Sequence, residues 1–183
     1  MRCMLVELFK TEERVQILRY AMFSSDFTVS EASRTTGINK GLVSRYLRYL
    51  EKRGLVQRDG RRYSPLDSAL PRAVKLLLNL ESIDLSSLSL GTAKGLGLYG
   101  SWARGTNRQD SDLDVWIRAE VQPSENDLAR LQRDLSLQTS SEVDLLVLTP
   151  EKLERIKRED PPFYNSLIMC PVTLKGEPLE EYR

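Results

Sequence analysis

The sequence predicts an α+β protein of two unlike domains: a basic, largely helical one closed by a β-hairpin, and an acidic one in which strands and helices alternate around a mixed sheet. Three observations carry this. Dividing the chain after Leu80 leaves 15 Lys and Arg against 8 Asp and Glu in the first part, a net +7. The second part has 12 against 18, a net −6, although the 183 residues together sum to +1. Apolar residues recur at helical spacing from residue 11 to about 54, then give way to two short strand-like runs. From Lys94 onward, apolar strand-like runs alternate with capped helical ones. The composition, 40% hydrophobic and 29% charged, is that of an ordinary globular chain able to bury a sizeable core. The boundaries expected are 1–66 for the basic domain, 67–93 for a connecting helix and loop, and 94–183 for the acidic domain.

In the basic domain Thr11 caps a first helix, and Val15, Ile17, Leu18, Ala21 and Met22 form its apolar stripe. A second, short helix runs through VSEASRTT, capped by Thr28 or Ser30 and stopped by Gly37. The third begins after Asn39 as KGLVSRYLRYLEKRG, with Leu42, Val43, Tyr46, Leu47 and Leu50 facing inward and Gly54 ending it. Leu55 to Pro65 reads as two short strands joined at Asp59-Gly60, a dipeptide suited to a tight hairpin turn. Lys40, Ser44, Arg45, Arg48 and Lys52 fall largely on the outer face of the third helix, where they can meet phosphates and base edges in a major groove. Arg58, Arg61 and Arg62 cluster at the hairpin tip.

Residues 11 to about 65 resemble a winged helix-turn-helix domain. The segment VSEASRTTGINKGLVSRYLRYLEKRGLVQRDGRRY matches that family's helix, turn, reader helix and wing. The resemblance implies double-stranded DNA as a partner of the basic domain. Such domains also serve as protein-docking modules. Between the domains, Ser68 to Leu80 has a helical pattern with Pro71 in its first turn, and its leucines suggest a packing or homodimer surface. The serine-rich stretch 82–92 reads as the loop into the second domain.

Composition restricts the chemistry open to the acidic domain. Its histidine count is zero, which excludes a Ser-His-Asp or Cys-His triad and any imidazole-ligated metal. Cys3 and Cys170 lie far apart, suggesting neither a disulfide framework nor a thiolate zinc site. Catalysis must rest on carboxylates, hydroxyls, Lys or Arg and hard metal ions. No window reaches the ~20 apolar residues of a membrane span, and the opening MRCMLVELFKTEER is too short and too charged for a signal peptide, so a cytoplasmic protein with no membrane partner is expected.

Strands are expected at Lys94–Tyr99, Leu113–Ile117, Glu142–Leu148 and Pro171–Lys175, with a helical turn or two after Ser101 and helices starting at Ser124 and Thr149. Because side chains i and i+2 of a strand share a face, Asp112 and Asp114 project together while Leu113 and Val115 turn away. Two carboxylates on one face repel unless a cation lies between them. Oxygen ligands from two aspartates, leaving octahedral positions for water and phosphate, suit Mg²⁺. Upstream, Gly100-Ser101 falls where a strand gives way to a helix, so the backbone can approach a phosphate. Ser101 adds a hydroxyl, and Arg104, one turn on, a guanidinium. Asp144, within EVDLLVL, is the candidate third carboxylate of a two-metal phosphoryl-transfer site, brought to the same ions if its strand lies beside the Asp114 strand. Asp110 reads as solvated, Tyr99 as core, and Trp102 and Trp116 as core or pocket wall.

These residues carry a second resemblance. The stretch YGSWARGTNRQDSDLDVWI, with EVDLLVL behind it, resembles the Gly-Ser, Ala-Arg-Gly, Ser-Asp-x-Asp signature of minimal nucleotidyltransferases in the DNA polymerase beta superfamily. The resemblance implies that Gly100 and Ser101 hold the phosphates of an NTP, ATP being the one expected. It further implies that Asp112, Asp114 and Asp144 are catalytic and bind Mg²⁺, Asp144 doubling as general base. The reaction would be transfer of a nucleoside monophosphate with release of pyrophosphate. Related minimal nucleotidyltransferases act as antitoxins that modify a toxin-like protein partner, which the resemblance also permits here. Two readings stand: an enzyme of this kind, or a DNA-binding regulator or antitoxin whose nucleotidyltransferase-like domain senses nucleotide or mediates oligomerisation without turnover.

Overall fold

The computed structural model describes residues 3–179, and the chain divides after Leu78 into two compact units. In the first, α1 (Met4–Leu8) and α2 (Glu12–Phe23) precede a two-residue strand β1 (Phe27–Thr28). Then come α3 (Val29–Thr36), α4 (Lys40–Lys52), the hairpin β2 (Val56–Asp59) and β3 (Arg62–Pro65), and α5 (Ala69–Glu81), whose last residues, from Asn79 on, belong to the second unit. The local signals act as read: Thr11 accepts from the Arg14 N–H, Asn39 from the Gly41 N–H, and Gly37 and Gly60 take left-handed backbone. Of the two cap candidates for α3 it is Thr28 that caps, in a reciprocal box with Glu31: Glu31 N–H donates to Thr28 Oγ1 at 3.2 Å and Thr28 N–H to Glu31 Oε2 at 2.6 Å.

The first core is built from Ile17, Leu18, Ala21 and Met22 of α2, Ala32 of α3, and Val43, Tyr46, Leu47 and Leu50 of α4, closed by Leu55, Val56 and Tyr63. Leu42, expected inward, is only partly buried against it. Two elements of this unit are additional to the sequence reading. α1 has no side-chain cap and is tied down by the Tyr46 hydroxyl, which donates to the Leu8 carbonyl at 2.8 Å. β1 pairs antiparallel with β3, Phe27 opposite Tyr63 and Thr28 opposite Arg62, so the hairpin becomes a three-stranded sheet of order β1-β3-β2.

The second unit contains β4 (Gly95–Leu98), α6 (Gly100–Arg104), β5 (Leu113–Arg118), α7 (Glu125–Thr139), β6 (Val143–Leu148), α8 (Pro150–Glu159), α9 (Pro161–Met169) and β7 (Val172–Gly176). The sheet order is β6-β5-β4-β7, with β5 and β6 parallel and the other pairs antiparallel, the mixed sheet expected. The parallel pair is joined by the crossover helix α7, as parallel neighbours require. Strand alternation separates two cores. Leu113, Val115 and Ile117 of β5 join Val143 and Val147 of β6 and Leu131 and Leu135 of α7. On the opposite face Trp116 and Leu148 pack with Leu153 of α8 and Leu167 of α9. The segment 82–92 is without helix or strand, yet Ile83 and Leu88 are buried in this unit, and Lys175 Nζ donates to the carbonyls of Leu85 and Leu88. α9 is a separate helix because Asp160, which ends α8, also caps the next turn through the Phe163 N–H, with Pro161 at its first position.

Candidate functional site

The face of the second sheet that carries Trp116 also carries Asp114 and Asp144. β5 and β6 are parallel and in register at these residues, so the two carboxylates stand on adjacent strands on one side of the sheet. β6 is an edge strand of the sheet, and Asp144 is exposed on it. Asp112 precedes β5 and is exposed, as is Asp110.

Asp114 is tied to the Gly100-Ser101 turn twice. Its carbonyl accepts from the Tyr99 N–H at 3.1 Å, and its carboxylate accepts from the Ser101 N–H. Gly100 lies at φ +64, in the left-handed region, and a Cβ there would overlap the Asp114 carboxylate. Position 100 therefore requires glycine for its backbone and again for its neighbour. Burial, then the charge of Asp144, then that of Asp112 hold the Asp114 carboxyl above the usual aspartate range, opposed by the Ser101 N–H and by Arg104 at the end of α6.

Tyr99, expected in the core, packs against the Trp116 cluster and also belongs to this group. It is half-buried, and its phenol is pushed up to about 12 by burial and then by the charges of Asp114 and Asp144. Its ring meets Phe163 of α9 edge-on, with centroids 6.4 Å apart. The signal for Tyr99 is its place directly before Gly100; Phe163, far along the chain, carries none. Trp102 and Trp116 are buried, as read.

The donor set is oxygen only, with like charges crowded about Asp114, and this chemistry fits a hard divalent cation. Among the described residues, however, no three Asp, Glu or Cys side chains form a cluster that could hold a metal ion as they stand.

In the first unit the structure gathers part of the predicted basic face. Ser44 and Arg48 of α4 and Arg58 and Arg61 of the hairpin line a cleft of about 550 Å³, together with Thr28, Val29 and Ser30 at the start of α3 and with Tyr63. Lys40, Arg45 and Lys52 are exposed on α4 but lie outside that lining. Arg62 points elsewhere. Its Nε donates to the Asp26 carboxylate and its Nη2 to the Asp26 carbonyl at 3.3 Å, fastening β3 beside β1. Arg58 lies over the Tyr63 ring, 5.7 Å from its centroid, and its Nε donates to the Gly60 carbonyl.

Fold and geometry define a class: a winged helix followed by a small α/β domain whose acidic strand pair abuts a Gly-Ser turn. Family comparison agrees on both parts. Residues 84–169 match the nucleotidyltransferase domain and residues 11–62 the MarR family, so the chain joins a MarR-family winged-helix domain to a nucleotidyltransferase domain. No curated protein matches the chain. Among solved structures, one described as the crystal structure of the toxin-antitoxin with AMP-PNP is 20% identical over 58% of this chain and 72% of that one, with a TM-score of 0.35, too weak a superposition to bear on function. Among the described residues no helix is long and apolar enough to cross a membrane.

Proposed function

We propose that the chain is a Mg²⁺-dependent nucleotidyltransferase that moves a nucleoside monophosphate from an NTP, ATP first, to an acceptor hydroxyl, while its winged helix binds duplex DNA. The observation that carries the enzymatic reading is the in-register pair Asp114 and Asp144 beside a Gly100-Ser101 turn knitted to Asp114. In this reading Gly100 and Ser101 hold phosphate oxygens, and Arg104 adds positive charge at the end of the same short helix. Asp112 and Asp114 hold Mg²⁺ with Asp144 as third ligand. The ion supplies charge neutralisation and activation of the attacking oxygen. Asp144, exposed on an edge strand, takes the proton of an incoming hydroxyl in this reading. Ser44, Arg48, Arg58 and Arg61 meet DNA phosphates from both sides of the cleft.

A second reading, nucleotide sensing without turnover in a DNA-binding regulator, draws on the carboxylates not forming a ready metal cluster among the described residues. Incubation with α-labelled ATP and Mg²⁺ separates the two, with arms offering duplex DNA, a small-molecule alcohol and co-expressed protein as acceptors. Label transfer or pyrophosphate release that is lost in Asp112→Ala/Asp114→Ala supports the enzyme. ATP binding without product in every arm supports the sensor, and no binding at all defeats both.

A further inference from the structure

We propose that Asn79, lying outside the Gly-Ser and Asp-x-Asp motif, is a positioning residue for the nucleotide and metal site, acting through a buried amide pair with Asn107. The inference rests on the nucleotidyltransferase reading of that site. Both side chains are about 1% exposed. Asn79 Nδ2 donates to Asn107 Oδ1 at 3.0 Å, and Asn107 Nδ2 returns a bond to Asn79 Oδ1 at 3.1 Å. Asn79 Nδ2 also donates to the Trp102 carbonyl at 2.9 Å, an acceptor it shares with the Gly105 N–H. One side chain therefore grips two pieces of the motif: the end of α6, whose start presents Gly100 and Ser101, and the segment 105–112 that leads to Asp112.

The rest of that segment is braced in series. The Arg108 N–H donates to Ser111 Oγ at 2.8 Å and the Ser111 N–H to the Arg108 carbonyl at 3.2 Å, closing a tight turn. The Trp102 indole N–H reaches the Ser111 carbonyl at 3.3 Å. Asp112 leaves this turn directly into β5. A buried polar pair with every amide group engaged is worth keeping only if its geometry matters, since apolar residues of the same volume would pack as well without the desolvation cost. Here the geometry it fixes is the spacing between the Gly-Ser turn and Asp112. Residues that orient metal ligands from behind typically change metal affinity ten- to a hundred-fold when removed.

The test compares wild type, Asn79→Leu, the gentler Asn107→Ala, which leaves the Asn79 bond to Trp102 in place, and the double variant. Hydrogen exchange is measured on the ligand-free protein, and titration uses Mn²⁺ with a non-hydrolysable ATP analogue. The expected result is faster exchange confined to residues 101–112, with Kd for the analogue raised about tenfold in Asn79→Leu and by less in Asn107→Ala. The double variant should be no worse than Asn79→Leu, because Asn107 acts on the site through Asn79. Unchanged exchange in 101–112, exchange raised throughout the second unit, or wild-type Kd in a folded variant overturns the proposal. Wild type that binds no analogue defeats the nucleotidyltransferase reading instead, and the exchange arm alone then decides whether Asn79 holds the segment.

Discussion

Replacing Asp114 by asparagine should make the ligand-free protein more stable at neutral pH while removing its response to metal. The carboxylate is partly buried and faces Asp144 across one strand spacing, and those two conditions hold its carboxyl above the usual aspartate range. At a separation of about 5 Å and an effective dielectric of about 20, two unit charges repel by about 3 kcal/mol. Asp144 is exposed, so solvent screening reduces this to about 1 kcal/mol. Asparagine keeps the shape and still accepts from the Ser101 N–H. For a unit of residues 79–183, a gain of about 1 kcal/mol raises Tm by about 4 °C. The sign with pH follows from the raised carboxyl. Wild type takes up this proton more readily folded than unfolded, so its handicap is absent below the ordinary aspartate range and grows as pH rises through the folded value. Calorimetry in EDTA at pH 7 and pH 3 should therefore show the variant ahead at pH 7 and level at pH 3. Mn²⁺ should raise Tm of the wild type only. A variant melting at or below wild type at pH 7, or an offset that persists at pH 3, refutes the reasoning.

Gly100→Ala should cost about 1–2 kcal/mol from left-handed backbone alone and should abolish thermal protection by MgATP, because its methyl group displaces the Asp114 carboxylate. In anisotropy titrations on a DNA duplex across a salt series, alanine at Arg48, Arg58 or Arg61 should reduce the log–log salt slope by about one unit each. Arg62→Ala should weaken binding while leaving the slope unchanged, because its charge is already matched by Asp26; a slope change equal to that of Arg58→Ala makes it a direct phosphate contact. Thr28→Ala should lower stability by about 1 kcal/mol in urea denaturation, and Thr28→Ser should recover most of it, since the hydroxyl is the group that caps α3.

What was legible in the sequence was what local chemistry decides. Thr11, Asn39, Ser124 and Thr149 start helices through bonds to N–H groups two or three residues away, and each was readable as a cap. Asp114 could be placed on a strand from the apolar residues around it, whereas Asp112 precedes β5, so the two-residue period does not reach it. Pairing across the chain was another matter. β1 is a strand only because β3 lies beside it, and nothing in Phe27-Thr28 announces that. Arg62 read as one more tip arginine because Asp26, its partner, is far back in the chain. The register that sets Asp144 opposite Asp114, the approach of Phe163 to Tyr99 and the Asn79–Asn107 pair all depend on strand order and helix packing, which no periodicity encodes.

The contact between Gly100 and Asp114 also bears on how such a site can decay. While the carboxylate is present, any side chain at position 100 must both accept left-handed backbone and displace an acid, so glycine is held by two constraints at once. Once Asp114 is lost to a smaller residue, only the backbone constraint remains, and asparagine, which tolerates that conformation, can enter. Loss of these two residues in descendants of this chain would thus run in one order, acid first and glycine second. A descendant with Gly100 replaced and Asp114 intact would carry both costs together.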